Sequence, residues 1–166
     1  MRRWSQVALL AGLAIFYSLV VFNNLTDFDS NFQFVRHVLS MDSTFPGNHG
    51  MWRAMTGRGW HLAFYLSIIV WEAVTALLLW LGVFQLVRSI SLNRAAYRRS
   101  MRIPLLALTL SLLMWLVAFL SVGAEWFLMW QSHIWNGQEA AFRMFVVAGI
   151  VYLSFLLPEP ESREEE

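Results

Sequence analysis

Four stretches of the chain lose almost all polar residues for roughly the 20 positions that a helix needs to cross about 30 Å of hydrocarbon. They run from Trp4 to Phe22, Leu62 to Val87, Ile103 to Leu128 and Phe142 to Leu157. Between the first two, the pattern changes period. In "DSNFQFVRHVLSM", Phe32, Val35 and Leu39 share one helical face, with Phe34, Val38 and Met41 beside them, and Asp29 or Ser30 can cap the start. That periodicity predicts an amphipathic helix lying on the outer leaflet. "MDSTFPGNHG" then breaks regular structure at Pro46, Gly47 and Gly50 before "MWRAM" resumes. The expected fold is all-α: a four-helix transmembrane bundle with an amphipathic interfacial helix in the long first outer loop. A single membrane domain covers residues 1–158, and the acidic run 159–166 is expected to be a disordered cytoplasmic tail.

Composition supports a lipid setting. Of 166 residues 58% are hydrophobic and 14% charged, whereas soluble domains carry roughly 25% charge. Arg2 and Arg3 before the first run resemble a signal-peptide n-region, but the run is too long and lacks a small-residue cleavage site, so it reads as a retained anchor. Arginines set the orientation: Arg2, Arg3, Arg88, Arg94, Arg98, Arg99, Arg102 and Arg163 fall on one side, Arg36, Arg53, Arg58 and Arg143 on the other. The richer side is expected in the cytoplasm, together with both termini. A formal net charge of +1 gives no reason to expect nucleic acid. The expected partners are membrane lipid and another membrane protein or a second copy of the chain. Without cysteine, thiol redox chemistry and thiolate metal sites are excluded.

Candidate chemistry falls in three places. Glu72 sits ten residues into the second run, about 15 Å deep by helical rise, and is expected near the midplane as a protonated acid facing the bundle interior. Tyr65, Thr75 and Ala76 share its stripe, and hydroxyls of Tyr17, Ser111 or Tyr152 are within its expected reach. A matching stripe on the third span runs Ser111, Ala118, Ser121, Glu125, and Glu125 is expected to meet Arg143, with Glu139 competing. The second place is the outer face, where Trp52, Arg53, Trp126, Trp130 and Trp135 gather. Indoles there suit an aromatic belt, and together with arginine they are also the residue types of interface hot spots. The third is "HGMWRAMTGRGWH". His49, Met51, Met55 and His61, with His133, are a donor set that would suit copper(I), and His61 with His133 a haem. No cofactor is called for, so copper and haem stay as alternatives. No G-x-S-x-G, H-E-x-x-H or P-loop occurs, and no catalytic residue is assigned.

The segments "FNNLTDFDSNFQFVRHVLSMDSTFPGN", "MWRAM" and "GAEWFLMWQSHIWNGQEAAFR" resemble a bacterial family of predicted small integral membrane proteins, catalogued as a domain of unknown function. The resemblance runs from Trp4 to about Leu157. It implies four spans and a bacterial inner-membrane setting, and it implies no activity, cofactor or catalytic residue. Three functions are compatible with this pattern. One is a noncatalytic accessory module acting through its outer cap; a second is a proton- or cation-binding transporter or channel subunit that uses Glu72; the third is an outer-face metal or redox protein using His49, Met51, Met55, His61 and His133.

Overall fold

The computed structural model describes residues 1–157 and is helical throughout its long elements. The tail expected to be disordered lies outside the described residues. Helix α1 spans Arg2–Thr26, α2 Phe28–Ser40, α3 Arg58–Ser89, α4 Arg94–Ser100, α5 Arg102–Leu113 and α6 Gln138–Leu156. The third span continues from α5 as a π-helix, Met114–Trp126. Among the described residues four helices are long and apolar enough to cross a membrane: α1, α3, the α4–α5–π run and α6.

Local chemistry sets the boundaries. α1 runs past its apolar stretch through Asn23 and Asn24 and stops at Asp27, whose N–H still donates to the Asn23 carbonyl. α2 follows at once and ends at Met41, which takes the left-handed conformation that stops a helix. Asn93 caps α4, its Oδ1 accepting from the Ala96 N–H at 2.9 Å. In the π segment, carbonyls are reached from five residues on: Phe127 N–H donates to Val122 at 3.0 Å, and Ser121 Oγ donates to Leu116 at 2.8 Å.

The four spans form a ring in which α1 packs on α3, α3 on α5, the third span on α6, and α6 most lightly back on α1. Outward faces are apolar along their length, with Leu9, Ile15, Leu19, Val70, Leu77, Phe84, Ile150 and Leu153 all exposed. Such a surface is stable only against lipid or another apolar partner. Inside lie two cores. One, toward the arginine-rich end, is built on Leu10, Leu13, Tyr17, Leu79, Leu86, Leu108, Met114 and Phe155. The other packs Phe32, Val35, Val38 and Leu39 of α2 on Tyr65, Ile69, Ala124, Phe127 and Met129. The α2 face that periodicity assigns to the outer leaflet is thus taken up by protein.

The arginine-rich end is closed economically. Arg2 donates to the carbonyls of Ser154 and Leu157 at the end of α6. Arg3 donates to those of Ile90 and Leu92 at 2.8 and 2.6 Å, just past α3. Both cations sit where the carbonyls of a helix C-terminus are unpaired and its dipole is negative.

Register between helices corrects the depth expected for Glu72. Its Oε2 accepts from Asn24 Nδ2 at 2.6 Å, and Asn24 lies two residues beyond Phe22, the last residue of the first apolar run. The carboxyl is therefore level with the end of that run, not with its middle. α3 is 32 residues long, about 48 Å, and α6 only 19, about 28 Å. Beyond Glu72, α3 continues another 14 residues to Arg58, about 21 Å, beside the π segment and α2. These three elements make a cap on the end of a shorter four-helix barrel.

Candidate functional site

The cap is made of both loops at once. Met55 N–H donates to the Leu39 carbonyl at 2.8 Å, folding the "MWRAM" segment onto the end of α2. Ser43 Oγ donates at 2.8 Å to Ser132 Oγ, which also accepts from the N–H groups of Ile134 and Trp135 at 3.3 and 2.8 Å. Gln131 Oε1 accepts from Phe45 N–H at 3.1 Å and Asn48 Nδ2 at 3.3 Å. Rings close the same seam: Trp135 stacks on His37 at 4.5 Å and meets Phe34 edge-on, and Trp130 meets Phe45 edge-on. His37 is held in turn by Asp42, Nδ1 to Oδ2 2.7 Å. Gly137 makes room for this packing, since a Cβ there would lie 2.9 Å from the Phe34 ring.

Arg53 occupies the cap's exposed corner. Its guanidinium lies 5.4 Å from the Trp52 ring and 5.3 Å from the Trp126 ring, within cation–π range. One guanidinium nitrogen donates to the carbonyls of Glu125 and Trp126 at 3.4 and 3.1 Å, where the π segment ends. The Nε atom is buried with no hydrogen-bond partner among the described residues. Trp52 and Trp126 meet edge-on and stay 74% and 48% exposed.

Beneath the cap, Glu72 is 3% exposed and lines a cavity of about 270 Å³. Asn24, Asn31 and Tyr65 are its other polar walls, with Phe34, Trp115 and Phe119 among the apolar ones. Tyr65 Oη donates to Asn24 Oδ1 and to its carbonyl, both 3.2 Å. That bond orients the Asn24 amide so that its nitrogen faces the carboxyl. Tyr17 and Ser111, expected beside Glu72, instead bond one another at 2.7 Å, and Trp115 Nε1 donates to Tyr17 at 2.9 Å. Thr75 turns its hydroxyl back to the Trp71 carbonyl at 2.8 Å. The donor to Glu72 is Asn24, just past the end of the first apolar run. The signal was present as an amide pair directly after the first apolar run.

The expected Glu125–Arg143 bridge does not form. Both side chains are exposed, and among the described residues no ion pair joins them. The cause is helical phase: π winding adds nearly a residue per turn, so the stripe extrapolated from Ser111 rotates away. Ser121 and Glu125 come out exposed, while Trp115 and Ala124 are buried. The metal candidates are spread out. His61 is buried, its Nε2 2.6 Å from the Met55 carbonyl, while His49 and His133 are exposed. Thr44 Oγ1 donates to the Met51 sulfur at 3.6 Å. Among the described residues no three His, Asp or Glu side chains gather to hold a metal.

No curated protein and no solved structure matches the chain. A family model described as "Predicted small integral membrane protein (DUF2165)" matches residues 2–158. With that match over nearly its whole length and four membrane-length apolar helices, the chain belongs to this family of small integral membrane proteins.

Proposed function

We propose that this protein is a noncatalytic accessory module of a bacterial inner membrane. In this reading the cap faces outward, both termini lie in the cytoplasm, and the cap engages another membrane protein or a second copy of the chain. The observation that carries it is the Trp52–Arg53–Trp126 corner. Tryptophan and arginine supply much of the energy at protein interfaces, and here they are already ordered, which lowers the entropy lost on docking. An aromatic belt explains indoles at a headgroup level, but not an arginine locked between two of them by backbone carbonyls. The arginine asymmetry between the ends supports the orientation. The cap also carries the left-handed non-glycine residues Met41 and Leu128, and such strained backbone tends to collect at functional places.

A photo-crosslinking residue at the exposed neighbouring position Met51, with the Trp52–Arg53–Trp126 corner intact, in cells and followed by native mass spectrometry in mild detergent, tests this. A discrete adduct that disappears in Arg53→Ala is expected. Monomer alone, with no adduct, rejects the proposal.

A further inference from the structure

Two cavities adjoin under α2. The Glu72 cavity shares Phe34, Val35, Ile68 and Phe119 with a second one of about 230 Å³, whose lining is almost wholly apolar. A buried carboxyl at one end and a greasy compartment at the other form an amphipathic site, of the combined size that small-molecule sites usually have. We infer that it binds a lipophilic monocation, a protonated amine or quaternary ammonium on an apolar body, with the charge at Glu72 and the body under α2. This goes beyond the cap reading and stands independently of it.

Charge selects the ligand, since a cation beside Glu72 favours the ionised carboxylate over the protonated acid expected in its absence. Glu72 has one oxygen on Asn24, and among the described residues it has no cationic partner and no arginine or histidine lines its cavity. An anion would meet a carboxyl with no compensating charge. A divalent metal needs several oxygen or nitrogen ligands, and this cavity offers one carboxyl among amides, a phenol and rings. A monocation needs one counter-charge, and the Phe34, Trp115 and Phe119 rings can face it with their electron-rich surfaces. The level of Glu72, at the end of the α1 apolar run, also suits an amphiphile, whose head stays near the membrane boundary while its body remains in apolar surroundings.

The test is a matched pair of probes of the same shape, benzyltrimethylammonium and neutral neopentylbenzene. Binding is measured by calorimetry on the full chain in phosphatidylcholine nanodiscs, with empty nanodiscs subtracted. Saturable binding of the cation is expected, at least tenfold tighter than that of the neutral probe. Glu72→Gln keeps an oxygen for Asn24 and should lose the cation at least tenfold, while Glu72→Asp should retain much of it. Filling the apolar compartment with Ala118→Trp should weaken the cation with Glu72 intact. Equal binding of the two probes, unchanged affinity in Glu72→Gln, or no cation binding to the native chain overturns the inference. The probe comparison on native protein decides the matter even if a variant fails to fold.

Discussion

The two ends of the bundle solve the same problem in different ways. At the arginine-rich end, Arg2 and Arg3 satisfy the last carbonyls of α6 and of the segment after α3, and Tyr97 lies under the Arg3 guanidinium at 4.4 Å. At the cap end, two loops, an amphipathic helix and a π-wound span interlock through Ser132, Gln131, Arg53 and a seam of stacked rings. Closing helix ends needs only the first kind of device. The second holds side chains from both loops against α2 and the third span, and it is the end on which the proposed function rests.

That contrast can be broken by substitution. The largest effect is expected from Gly137→Val, which drives a side chain into the Phe34 ring and should cost about 1–3 kcal/mol of overpacking. Reversible unfolding in mixed micelles would measure it, and an unchanged midpoint would mean that the seam is loose. Next is Ser132→Ala. It removes the acceptor of Ser43, Ile134 and Trp135, for a loss of about 1–2 kcal/mol. Hydrogen exchange should quicken in residues 27–57 and 127–137 but not in 88–102; a uniform change would erase the distinction between the ends. Arg3→Ala at the opposite end should cost about 1 kcal/mol, from the lost C-terminal capping and the Tyr97 contact, and leave cap exchange unaltered. Smallest in stability is Trp52→Ala, an exposed position expected within about 0.5 kcal/mol of wild type. Adducts formed from a crosslinker placed at the exposed Met51 should nonetheless fall in that variant, which would separate docking from folding.

The four spans and α2 were legible in the sequence because burial imposes a period and lipid imposes a length, and both leave marks on residue type. Three features left no such mark. Hydropathy measures each span from its own ends, so it carries no register between helices, and it assigns Glu72 to mid-membrane although its partner Asn24 sits near the end of α1. A polar residue at the end of a helix looks like a loop, which hid Asn24. Nothing in "MWLVAFLSVGAEW" announces π winding, so the stripe to Glu125 was extended with the wrong pitch. The residue types for the crowded cap are visible in the sequence, including Trp52, Arg53, Trp126 and Trp135. Which of them touch depended on the two loops sharing Ser132 and Gln131, which periodicity does not encode.

Arg2 reaches the carbonyls of Ser154 and Leu157, more than 150 positions later in the chain. This distance orders events during synthesis. α1 and α3 can pair, and Asn24 can take up Glu72, while the second half of the protein is still being made. The ring itself cannot close until α6 has left the ribosome and its last turn is free to receive Arg2. During that interval the inner face of α1 lacks its final neighbour, so a chain truncated before α6 should be recognised by quality-control proteases as an open bundle despite carrying three complete spans.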